Sequence, residues 1–179
     1  MDTGTIERAL TRLGEVVVYR TEIEMLVVGG AAGMLTGVFS RARTTTDCDV
    51  MIYSPQSAMV AVEAAAASIA SEFGIAPNWL NSNVQMRSDA LPDGWRRRRI
   101  LIGAFGKLQV WAASRPDLIA MKVLAGRPQD IVDLQSMRPS AADIDFVRAH
   151  MRTLAAKGTP GDQIDDATTL LNSLRLHEG

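Results

Sequence analysis

The chain has very little of what staples or ligates. Its single cysteine, Cys48, excludes an intrachain disulfide framework. The only histidines are His150 and His177, so a Cys/His metal cluster is excluded as well. Neither histidine has a partner at a ligating spacing, and both are expected at the surface. No charge of one sign dominates: 19 basic residues stand against 20 acidic ones, which removes any bulk electrostatic case for nucleic-acid binding and leaves only a local patch. Long apolar runs are missing too. Met25 to Val28 and Ala64 to Ala67 are far too short to span a bilayer. Met1 to Glu15 lacks the basic start and apolar run of a secretory signal. These absences predict a soluble protein of the reducing cytoplasm with no membrane partner. What remains is 179 residues, 47% hydrophobic, enough for one domain, or one domain with an appended lobe, built on its own core.

Apolar periodicity divides the chain. Ile6, Leu10 and Leu13 form a helical stripe that predicts a helix over Thr5 to Arg12, with Glu15 to Tyr19 extending it or forming a short strand. Glu24 to Val28 reads as a buried strand ending at Gly29-Gly30, and Ala31 to Phe39 as the helix after it. Asp47 to Tyr53 alternates with period two, a strand with acids at its start. Gln56 to Phe73 is alanine-rich and helical, closed by Gly74. Ile75 to Pro92 is irregular. Trp95 to Phe105 and Lys107 to Ala112 read as two strands joined at Gly106. Pro116 and Pro128 open helices running to about Ala125 and Met137, proline being suited to a first helical turn. Ala141 to Ala156 and Asp162 to Leu176 are the last two helices.

Three features carry chemistry. Gly29-Gly30 after a strand lets backbone approach a phosphate, although paired glycines also make ordinary tight turns. Asp47 and Asp49, two apart on a strand, point to one side. Two hard oxygen ligands so placed suit Mg²⁺, with water and phosphate oxygens completing the shell. A solvated strand edge or a metal-dependent glycosyltransferase would carry the same pair. Lys122 falls on the apolar face of its helix, between Leu118 and Ala125, where an ammonium needs a partner such as a triphosphate or must snorkel to water.

In this order the features resemble the polymerase-β-type nucleotidyltransferase superfamily, with Val28-Gly29-Gly30 and then Asp47-Cys48-Asp49-Val50. A narrower resemblance is to bacterial nucleotidyltransferases of the DUF6036 type, which look related to AbiEii-like toxins. It is carried by Val27 to Ala32, by Arg43, Thr45, Asp47 and Asp49, by Trp79-Leu80-Asn81, and by Asp117 to Lys122 with Arg127 and Asp130 to Leu134. It covers roughly residues 20 to 137. The resemblance implies that Gly29 and Gly30 contact the triphosphate and that Asp47 and Asp49 hold the catalytic Mg²⁺ or Mn²⁺. It further implies that Arg43 and Thr45 shape the loop before the metal, that Lys122 grips phosphate, and that Asp133, with Arg127 nearby, belongs to the last motif. Many superfamily members carry a third acid on a later strand. Here that strand is Lys107 to Trp111, with Gln109 at the expected place, and glutamine cannot take a proton at neutral pH.

Trp95 with Arg96 to Arg99 could stack and pair RNA, or could be a charged edge strand protected against aggregation. Trp79 and Asn81 could meet a base or acceptor, or Trp79 could fill a core. The fold expected is α/β (α+β): a nucleotidyltransferase core over residues 1–115 with a small mixed sheet flanked by helices, and a helical C-terminal portion over 116–179. The expected activity is transfer of a nucleoside monophosphate from an NTP to an acceptor hydroxyl on RNA, such as a tRNA 3′ end, or on protein, in the manner of a toxin paired with an antitoxin. The alternative is a catalytically silent module that binds nucleotide or a protein partner.

Overall fold

A computed structural model describes residues 1–40, 42–83 and 91–174. The elements are α1 (Thr3–Val16), β1 (Ile23–Val27), α2 (Gly29–Leu35), β2 (Cys48–Ser54), α3 (Met59–Ile69), β3 (Leu80–Asn81), α4 (Trp95–Arg98), β4 (Ile100–Phe105), β5 (Leu108–Ala112), α5 (Arg115–Ala125), α6 (Pro128–Met137), α7 (Ala141–Ala156) and α8 (Gly161–Ser173). They fall into two compact units, Met1–Ser88 with Arg98–Ala113, and Asp89–Arg97 with Ser114–Gly179.

The first unit is a five-stranded mixed sheet in the order β3-β2-β1-β5-β4. β1 runs parallel to β5 and antiparallel to β2. Register puts Met25, Val27, Val50, Ile52, Val110 and Ala112 on one face, all fully buried. Helix α1 lies on this face. A Cβ on Gly14 would stand 2.2 Å from the Phe105 carbonyl oxygen, so only a glycine lets the helix pack this closely on β4. α1 also packs on α3. The opposite face carries Asp49, Met51, Leu26 and Trp111.

The second unit is helical. Gly126 takes a left-handed conformation (φ 58°) that ends α5, and α6 starts at Pro128 just after it. Helix α7 begins in a capping box between Ser140 and Asp143. Among the described residues no helix is long and apolar enough to cross a membrane.

Of the two alternatives after Glu15, the structure takes the helix, which continues to Val16. It corrects several other expectations. The helix expected over Ala31 to Phe39 stops at Leu35, because Thr36 and Gly37 (φ 73°) turn the chain and Phe39 folds back into the space left by Gly33. Trp95 to Arg98 is a helical turn rather than a strand, started by Gly94 (φ 79°) and held by bonds from Trp95 N–H to Pro92 O and Arg97 N–H to Gly94 O. Arg99 leaves the basic run altogether: its guanidinium lies 3.9 Å over the Trp111 ring and donates to the Tyr53 hydroxyl at 2.6 Å. His150 is buried at 6% exposure. It lies three residues beyond Val147 and four before Leu154, on the apolar stripe of α7. His177, Leu176 and the 84–90 part of the irregular segment lie outside the described residues.

Candidate active site

The first cluster forms where β1 ends and β2 begins. Cys48 and Val50 are buried while Asp47 and Asp49 are half-exposed, so the alternation of an extended chain puts both acids on the other side from the core. The Val28 amide donates to the Asp49 carbonyl at 2.9 Å, which fixes the two strands at this level. Gly29 follows with φ 63°, a conformation that side chains resist. A Cβ there would stand 3.0 Å from Asp49 Oδ2. At Gly30 the nearest groups to such a Cβ are Arg43 Nη2 and Thr45 Oγ1, each at 3.7 Å. Thr45 Oγ1 also donates to the Asp47 carbonyl at 3.0 Å and reaches Asp47 Oδ1 at 3.3 Å. Thus Gly29, Gly30, Arg43, Thr45, Asp47 and Asp49 converge, with bare glycine backbone facing a carboxylate.

The two glycines are therefore not equivalent. Gly29→Ala is expected to lower stability by about 1–2 kcal/mol, through the left-handed backbone and the crowded carboxylate. Gly30→Ala, with ordinary contacts and no positive φ, is expected within about 0.5 kcal/mol of the native chain. Thermal denaturation of the two variants side by side checks this, and equal losses would refute it.

Two neighbours complete the cluster. Burial pushes the Cys48 thiol up, and the charges of Asp49 and Asp47 push it further, so it stays protonated and is no thiolate ligand. Asn81, which sequence reasoning offered only as a base or acceptor contact, lies beside Asp49 in the parallel β2–β3 pairing and donates to its Oδ1 at 2.8 Å. Trp79 takes the core role: it is fully buried, with its indole N–H on the Ala66 carbonyl of α3 at 2.9 Å.

Strand register corrects the place given to Gln109. It pairs with Glu24, whereas Asp49 stands level with Val28, four residues and about 13 Å further along β1. Gln109 donates to Glu22 at 3.1 Å. On the Asp49 face, the positions nearest that level are Trp111, which pairs with Leu26, and Ala113 just beyond β5. Among the described residues no three His, Cys, Asp or Glu gather as a metal cage. Two carboxylates beside open glycine backbone do fit a Mg²⁺ that takes its remaining ligands from water and phosphate.

The second cluster lies within the helical unit. Lys122 does not snorkel to water; it is 5% exposed and its Nζ donates to Asp130 Oδ1 at 2.9 Å and Asp133 Oδ2 at 2.7 Å. Arg127 Nε donates to the other Asp130 oxygen at 2.7 Å, and Gln129 Nε2 to the other Asp133 oxygen at 3.1 Å. Sequence reasoning named Lys122, Arg127 and Asp133 but gave Asp130 no role. The signal was available: a lysine on an apolar face demands an anion, and Asp130 and Asp133 share one face of α6.

Burial raises the Asp130 carboxyl, but the hydrogen bonds and charges of Arg127 and Lys122 outweigh it and hold it below 3.8. A carboxyl lowered in the folded state contributes stability that is full above 3.8 and lost as pH falls below it. Asp130→Asn is therefore expected to lower the melting midpoint at pH 7, and the gap to the native chain to close as pH drops from 4 toward 2. A gap unchanged at pH 3 would sink this account.

A family model described as nucleotidyltransferase of unknown function (DUF6036) matches residues 5–163. No curated protein and no solved structure matches the chain.

Proposed function

Because the chain belongs to the DUF6036 family of nucleotidyltransferases, we propose that the cluster at Gly29 and Asp49 is a Mg²⁺- or Mn²⁺-dependent site that transfers a nucleoside monophosphate from an NTP to an acceptor hydroxyl. The observation that carries this reading is the carboxylate of Asp49 set against the side-chain-free backbone of Gly29, with Arg43 and Thr45 beside Gly30. Gly29 and Gly30 leave room for phosphate oxygens, and Arg43 supplies positive charge next to them. Asp47 and Asp49 hold the cation. A bound Mg²⁺ supplies neutralisation of charge on the transferring phosphoryl group. In the transfer, the acceptor oxygen bonds to the α-phosphorus, the bond to the bridging oxygen breaks, pyrophosphate leaves and the hydroxyl proton passes to water. The chain's contribution is positioning and charge. The acceptor is a tRNA 3′ end or a protein, and a toxin role with a cognate antitoxin follows from the AbiEii likeness alone.

One observation favours a second reading. Trp111 on β5 and Ala113 just beyond it stand nearest the level of Asp49, so this segment offers no third acid there. In that reading the chain binds nucleotide without transferring it. The test is incubation with each α-³²P nucleoside triphosphate, Mg²⁺ and total tRNA or lysate, beside an Asp47→Ala/Asp49→Ala control. Label on RNA or protein that depends on the two acids supports transfer. Acid-dependent nucleotide binding with no labelling supports the silent module.

A further inference from the structure

The cluster holds one polar side chain whose orientation is fixed from both ends. The backbone pairing of Leu80-Asn81 with Cys48-Asp49 brings Asn81 level with Asp49. The Asn83 amide donates to Asn81 Oδ1 at 3.1 Å. An amide whose oxygen accepts there must turn its NH₂ the other way, and that NH₂ donates to Asp49 Oδ1 at 2.8 Å. The flanking residues are anchored in turn. Trp79 bonds to Ala66, the Trp79 carbonyl accepts from the Cys48 amide at 2.6 Å, and the Ser82 hydroxyl bonds to Glu63 on α3. Asn81 is thus carried on a short strand tied to both β2 and α3.

The consequence falls on Asp49. One of its oxygens is committed to Asn81, while the other, Oδ2, is the one nearest Gly29. We propose that Asn81 is a positioning residue: it holds the Asp49 carboxylate so that Oδ2 is presented to the cation and phosphate beside Gly29. The proposal rests on the metal-site reading above. Partners that orient a ligating carboxylate typically change metal affinity 10- to 100-fold when removed, because the free carboxylate rotates away from its ligating pose.

The experiment measures Mn²⁺ affinity by water-proton relaxation, in the presence of an equimolar mixture of the four α,β-methylene nucleoside triphosphates. It compares the native chain, Asp49→Asn, Asn81→Leu and the double variant. Leucine keeps the branched shape of asparagine, at a larger volume, without its donor, and Asn81→Ala is run beside it in case one variant fails to fold. The expected result is about 10- to 100-fold weaker Mn²⁺ binding in Asn81→Leu, with no further loss when Asn81→Leu is added to Asp49→Asn. A purely structural asparagine would instead weaken both backgrounds alike. Native affinity in the folded Asn81 variants, with loss in Asp49→Asn, overturns the role of Asn81 and leaves the metal site standing. Equal binding by the native chain and Asp49→Asn overturns the metal-site reading and this inference with it.

Discussion

Asp49→Ala is expected to lower nucleotidyl transfer by about three orders of magnitude while leaving the chain folded. The side chain is half-exposed and its interactions point away from the core, toward Asn81 and Gly29. Its backbone carbonyl still accepts from Val28 after the substitution, so β2 keeps its pairing. The hydrogen bond from Asn81 that is lost contributes about 1 kcal/mol. The catalytic loss is larger. In the proposed site, with one carboxylate gone, a cation would be held by Asp47 and substrate alone, and the charge on the transferring phosphoryl group would be poorly neutralised. Roughly 4 kcal/mol of lost transition-state stabilisation corresponds to about a thousandfold. Single-turnover transfer of α-³²P label and the melting midpoint, measured on one preparation, separate the two effects. Transfer retained within tenfold of the native chain would show that the reaction is performed elsewhere. In the silent-module case the same variant reports through nucleotide binding alone.

Local signals were readable because they need no partner. Helix α7 begins at Ala141 and ends at Ala156, the bounds expected for it. Gly74 and Gly126 close their helices in the left-handed conformation that glycine permits. The acids before β2 and the glycines after β1 stand on adjacent strands that spacing alone could place in order but not in register. What was not readable depends on pairing between distant segments. Gln109 looked like the third position only because nothing in one strand shows which residue of its neighbour it meets. Asn81 belongs to a two-residue strand, too short for any period, and its role arises from lying beside a residue 32 positions earlier. Arg99 looked like the end of a charge run until Tyr53, Glu24 and Trp111 came together around it. His150 could have been placed from its spacing on α7, since the stripe through Val147 and Leu154 includes it.

Lys122→Met is expected to destabilise the helical unit by about 3–5 kcal/mol. The ammonium sits between two carboxylates that are themselves 2% and 3% exposed. Removing it leaves both buried anions without their shared cation. Arg127 still serves Asp130 and Gln129 still donates to Asp133, but glutamine brings no charge, so Asp133 bears most of the loss. The apolar surroundings of Lys122 accept methionine readily, since Leu118, Ile119 and Val123 are buried nearby on α5. The damage is therefore electrostatic, and neutralising its source should reverse it. Adding Asp130→Asn and Asp133→Asn to Lys122→Met is expected to restore most of the melting midpoint, which would fall by about 10 °C or more in the single variant. This outcome bears directly on the phosphate-gripping role that the family resemblance implies for Lys122. A lysine whose main work is to hold phosphate can be removed with little change in the melting midpoint and a higher KM for nucleotide. A lysine that neutralises two buried carboxylates cannot be removed without lowering the midpoint, whether or not nucleotide is present. If Lys122→Met melts with the native chain, the ion network does not hold the helix pair and the phosphate role becomes the better account. If it melts early and the triple variant recovers, the two aspartates are the reason a lysine stands on the apolar face of α5.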